Sequence, residues 1–194
     1  KAWNNVIYGF GSGIASEYIN TTGTYALYNN TIPNYSDVGI YFQGAAAGVY
    51  RWANNLVQGT GGSGNYYTAD LQVPGLDYSS TNLSQDASAP AAVGGGGAPV
   101  NGVVAFVGAP NYHLNGVADT NAKDRGTNLS ADPWIAVYDD IDGQVRAAPW
   151  DIGADDATGT TAVALMSFEA RPADGAVDLL WRTGSEVDNL GFHV

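Results

Sequence analysis

The stretches NNVI at residues 4–7, NNTI at 29–32 and NNLV at 54–57 write nearly the same four residues at an interval of 25. The likeness extends upstream, where GTYALYNN at 23–30 lies 25 residues before GVYRWANN at 48–55. A fixed period of this size marks a solenoid, in which each repeat stacks on the last. Stacking by 25 places Asn5, Asn30 and Asn55 in one column and Ile7, Ile32 and Val57 in another, with Tyr25 beneath Tyr50. The aliphatic column can bury itself only against the coils above and below. The Asn column becomes a ladder of side-chain amides, satisfying polar groups whose burial would otherwise cost free energy. Residues 1 to about 75 thus read as three turns of a β-solenoid. The stretches GSGI at 11–14 and DVGI at 37–40 start further strands and differ in phase by one residue.

Composition agrees with strands and tight corners. Gly contributes 26 of the 194 residues, charged residues are 13%, and helix-forming Lys, Glu and Gln are sparse. The net charge is −12 with seven basic residues and no Lys/Arg cluster, which excludes nucleic acid as a partner and disfavours an anionic membrane surface. No apolar run approaches the length of a transmembrane helix, so no membrane insertion is expected. There is no cysteine, hence no disulfide and no thiolate chemistry. KAWNN starts inside a repeat, and the chain is expected to begin downstream of the start of its gene.

Beyond the coils the text changes. Residues 60–110 read as irregular, with GGGG at 94–97 expected as a mobile loop and GVVAFVG at 102–108 as a short buried strand. Residues 111–156 are rich in Asp and turns. Their succession of YHL, DIDGQVR and WDIGADD resembles the closing segment of bacterial secreted right-handed parallel β-helix proteins, the pectate-lyase-like surface proteins of the choice-of-anchor type. The family usually writes Ser-Pro-Ala-Ile-Asp-x-Gly after the His-Leu; here ADTNAKDRG follows, with Asp124 and Gly126 in the matching places. Residues 157–194 resemble the opening of a fibronectin-type-III-like module: Val163, Leu165 and Phe168 mark a first strand, Val177, Leu179 and Trp181 a second, and NLGFHV a third. A complete sandwich of that kind needs about seven strands.

The expected fold is therefore all-β. Residues 1–110 form parallel β-helix coils with irregular loops, 111–156 a turn-rich closing cap, and 157–194 a partial sandwich. The resemblance implies a secreted, cell-surface protein of bacterial origin.

Little in the chain suits catalysis. A polysaccharide lyase needs a base beside calcium-binding acids, and a hydrolase needs converging carboxylates. The coils offer Arg51 as their one cation after Lys1, with Glu17 and Asp37 as lone acids. His113 and His193 have no nucleophile motif near them, and His113 reads as a hydrogen-bonded structural residue. In VYRWA, Tyr50 and Trp52 share one face; they read mainly as a core ladder and, as the alternative, as a sugar-stacking platform. Asp139, Asp140 and Asp142 in DDIDG offer hard oxygens at a tight turn and suit Ca²⁺, with Asp119 and Asp124 able to join; the alternative is an Asp turn paired with Arg146.

The function expected from these features is a non-catalytic structural protein. Copies would join end to end into a filament, with Val163, Leu165, Phe168, Val177, Leu179 and Trp181 carrying the joint. The alternative is a β-helix that binds or degrades polysaccharide.

Overall fold

The computed structural model describes residues 1–16, 22–42, 48–59, 62, 64–68, 76–157 and 163–186. Glu17, His193 and the NLGFHV stretch lie outside them. The described residues are all-β, without a helix, and divide into two units, Lys1–Thr158 and Gly159–Val194.

The first unit opens with β1 (Ala2–Trp3), β2 (Phe10–Ser16), β3 (Thr24–Tyr28), β4 (Thr31–Ile32), β5 (Tyr35–Phe42), β6 (Val49–Ala53) and β7 (Leu56–Val57). It continues with β8 (Tyr66–Thr68), β9 (Tyr78–Ser80), β10 (Leu83–Ser84), β11 (Val100–Asn101), β12 (Phe106–Gly108) and β13 (Asn111–Leu114). Three parallel sheets result, ordered β1-β3-β6-β9, β4-β7-β10-β11 and β2-β5-β8. Register follows the sequence period: Tyr25 faces Tyr50, Leu27 faces Trp52 and Ile32 faces Val57. The one-residue phase difference is a bulge, for Phe10 pairs Tyr35 whereas Ser12 pairs Val38.

Each Asn of the repeated pair has its own task. Asn4, Asn29 and Asn54 take φ of 52°, 51° and 53°, the left-handed corner that Asn tolerates better than most residues. The following Asn is the ladder rung. Asn5 Nδ2 donates to Asn30 Oδ1 at 2.9 Å, Asn30 Nδ2 to Asn55 Oδ1 at 2.8 Å, and Asn55 Nδ2 to Asn82 Oδ1 at 2.9 Å. The three later rungs also donate back across a layer: Asn30 to Ala2 O, Asn55 to Leu27 O and Asn82 to Trp52 O.

Asn82 reveals a fourth layer where irregular structure was expected. Thr81, at φ 45°, occupies the corner and Asn82 the rung, while β9 and β10 continue two sheets. Residues 94–97 are hydrogen-bonded onto this layer, with Thr81 N donating to Gly97 O at 3.0 Å and Gly97 N to Ser80 Oγ at 2.8 Å. A side chain at Gly96 would collide with the Ser79 carbonyl, so the glycine permits the close approach. In residues 102–108 only Phe106–Gly108 is strand; Val104 is buried, but Val103 and Val107 are each 59% exposed.

Two kinds of core arise because β3, β6 and β7 bury side chains on both faces. One face contributes Leu27, Tyr50, Trp52 and Val57 to an interior cluster with Ile40, Phe42 and Tyr66. The other faces are covered from outside: Ala26, Tyr28 and Ala53 by Leu129, Val137 and Trp150, and Leu56 and Leu83 by Val104, Leu114 and Ile152. The Asp-rich segment, expected as an end cap, thus lies along the flanks of two sheets. Its hydrogen bonds span the layers, from Asn4 Nδ2 to Asp139 O at 2.9 Å and from Thr127 N to Asn54 Oδ1 at 2.8 Å.

The second unit is a hairpin of β14 (Val163–Ala173) and β15 (Ala176–Glu186). Phe168 faces Trp181, Ala170 faces Leu179 and Pro172 faces Val177. These residues share one face, while Glu169, Arg171, Asp178 and Arg182 occupy the other.

Candidate functional site

Most of the acidic residues in 111–157 serve as loop anchors. Asp119 accepts from Ala105, Ala122 and Lys123 amides, and Asp151 from Asp124 and Ala157. Asp132 accepts from Trp134 and Ile135 and pairs Arg51 at 2.8 Å, so that cation closes an ion pair beneath Tyr78. Burial pushes the Asp132 carboxyl up, but these amides and Arg51 outweigh it and hold it below the ordinary value. Burial of Asp151 wins instead and raises it to about 6. A chain segment with so little secondary structure must satisfy its amides with side chains, and Asp does this at short range.

The three acids expected to hold calcium do not converge. Asp140 is buried, and its Oδ1 accepts the Asp142 and Gln144 amides while its Oδ2 accepts that of Asp156. Asp139 engages through its backbone carbonyl, which accepts from Asn4 Nδ2 and Arg146 Nε. Asp119 is occupied by backbone amides, and neither it nor Asp124 joins the other acids in a common cluster. Arg146, expected to pair a carboxylate in that turn, instead donates to the carbonyls of Asp139, Gly153 and Ala154, at 2.7–3.0 Å.

Asp142 goes to a different place. The turn around Gly143 (φ 77°) is tethered by Ile141 N donating to Ala154 O at 2.9 Å, which carries Asp142 toward Asp155. Opposite stands His113 on β13, whose Nε2 is 2.9 Å from Asp142 Oδ2. Ligand atoms of His113, Asp142 and Asp155 all lie within 4.8 Å of one another. Asp155 is fixed by the Leu114 amide, which donates to its Oδ2 at 2.7 Å. Burial raises the Asp155 carboxyl above its ordinary value, with the Leu114 hydrogen bond and His113 opposing.

His113 and Asp142 stand on the rim of a groove of about 450 Å³, also lined by Val6, Tyr8, Tyr112 and Ile141. The Tyr8 and Tyr112 rings lie 4.9 Å apart, tilted by 51°. Tyr50 and Trp52, by contrast, are 1% and 2% exposed, and Tyr50 stacks on Tyr25 at 5.1 Å. Neither offers a ring face to a sugar.

Of the expected joint residues, Phe168, Val177, Leu179 and Trp181 fall on the apolar face of the hairpin. Phe168 and Val177 are each 61% exposed, and Leu179 and Trp181 each 37%. Val163 and Leu165 belong to β14, and their side chains lie outside the described ones. Sequence reasoning missed the His113–Asp142–Asp155 group because its members are far apart in the chain. The fold unites them through residues 154–155, with Ile141 N on Ala154 O and Leu114 N on Asp155 Oδ2.

Compared with known protein families, curated proteins and solved structures, the chain matches none.

Proposed function

We propose that the chain is a non-catalytic structural protein of a bacterial surface or matrix, a right-handed parallel β-helix whose copies join end to end. The single observation that carries the reading is the hairpin, which leaves Phe168, Val177, Leu179 and Trp181 on one exposed face. A two-stranded ribbon with an apolar face is marginal in water and gains stability from further strands. The edge strand β2, seven residues long with Phe10 63% exposed, supports the same reading, since an edge accepts a strand in register. The Asn ladder adds that the repeated residues are committed to stacking. The secreted location and the bacterial family rest on the resemblance of residues 111–156, and the sandwich-like character of the tail on that of 157–194.

Light scattering of the full chain at micromolar concentration tests this. The wild type grows into large assemblies, and the double variant Phe168→Ser/Trp181→Ser stays small while the Lys1–Thr158 unit keeps its unfolding transition. Undiminished growth of the variant would remove the hairpin from the joint.

Carbohydrate binding is the second reading, favoured by the Tyr8–Tyr112 pair at the groove. Saturable binding of a neutral or acidic glycan, lost in Tyr112→Ala, would place it first.

A further inference from the structure

We propose that His113, Asp142 and Asp155 form a binding site for a divalent transition-metal ion of the zinc class. Asn111 sets the state of the imidazole. Its side-chain oxygen accepts the backbone N–H of His113 at 3.1 Å, and because a backbone N–H can only donate, this fixes which amide atom faces the ring. The same oxygen contacts His113 Nδ1, so Nδ1 carries the hydrogen. A neutral imidazole then has its bare lone pair on Nε2.

That lone pair points at Asp142 Oδ2 from 2.9 Å. Two acceptors do not face each other at this distance unless a cation lies between or beside them. The choices are a second proton on the ring or a metal ion. Asp155 argues for the metal: it brings a further anionic oxygen to within 4.8 Å, itself held by the Leu114 amide. One imidazolium offers a single N–H in this direction and cannot serve both carboxylates, whereas one ion can.

The dimensions fit. Ligand atoms about 2.0–2.2 Å from one ion stand roughly 3.4 Å apart in a tetrahedron. The His113–Asp142 pair, at 2.9 Å, has to open slightly, and the 4.8 Å that bounds the group leaves that spacing within reach of small side-chain adjustments. Asp142 is on an exposed turn and His113 is part-exposed, so both can adjust. An imidazole with two carboxylates suits zinc-class ions, whereas Ca²⁺ takes six to eight oxygens. The Nδ1–H bond to Asn111 is the outer-shell contact that metal-bound imidazoles make. His113 and Asp142 also line the groove, from which water or a ligand oxygen would complete the shell.

Isothermal titration of the chelator-stripped full chain with ZnCl₂, and separately with CaCl₂, tests the site. One equivalent of Zn²⁺ binds, it raises the melting temperature, and Ca²⁺ does not displace it. His113→Gln and Asp142→Asn each abolish the binding, while Asp139→Asn leaves it unchanged. Asn111→Ala, which acts through the ring, weakens binding about tenfold and Asn111→Asp restores it. Should His113→Gln fail to fold, Asp142→Asn, altered only on an exposed turn, provides the test in its place. Absence of saturable Zn²⁺ binding in the wild type, retention of it in Asp142→Asn, or preference for Ca²⁺ would each overturn the assignment.

Discussion

Asn55 shows how one residue is used in several directions at once. Its Nδ2 donates to Asn82 Oδ1 and to Leu27 O, and its Oδ1 receives Asn30 Nδ2. Replacing it by Ala takes the acceptor from the Asn30 backbone N–H and Nδ2 and breaks the column at its middle. Unsatisfied buried groups cost about 1–3 kcal/mol each, so Asn55→Ala is expected to lose about 3 kcal/mol of unfolding free energy. Urea titration measures this as a lower midpoint at unchanged slope. A loss under about 1 kcal/mol would mean that the ladder is not a stabilising column. This column is legible in the sequence because its members share one offset. The left-handed role of Asn4, Asn29 and Asn54 is not, since backbone sign leaves no periodic mark of its own.

Among the elements, spacing decides what can be read. The fourth layer departs from the rule twice, with Thr81 standing for Asn and with Ser79 27 residues after Trp52. A constant period therefore stops one layer short. The flanking segment of residues 111–157 is hidden for a different reason. Asp119, Asp140 and Asp151 look like ligands in the sequence, and only their burial and bonds show them to be amide acceptors. That burial has a pH consequence. Asp151 titrates near 6 in the folded protein, above its ordinary range, and burial also raises Asp140 and Asp155. Between about pH 4 and 6 the folded chain thus binds more protons than the unfolded one, and stability falls as pH rises. The depressed carboxyls, Asp86 and Asp132, act in the opposite sense but only below their ordinary unfolded values, near pH 4 and lower. Melting temperature measured from pH 5 to 7 is accordingly expected to decline, and a rise across that range would contradict the assignment of Asp151.

At the scale of the molecule, two properties are legible in the sequence: the all-β class and the 25-residue register of the first layers. Long-range convergence is not. His113, Asp142 and Asp155 meet because β13 and the 139–145 turn are both hydrogen-bonded to residues 154–155, and no local pattern encodes that meeting. The proposed function rests on surfaces at this scale, the apolar face of the hairpin and the edge strand β2. Electron microscopy of the purified full chain at micromolar concentration tests it. Regular filaments with a constant axial subunit repeat are expected, absent in Phe168→Ser/Trp181→Ser. Dispersed single particles of the wild type would overturn end-to-end assembly.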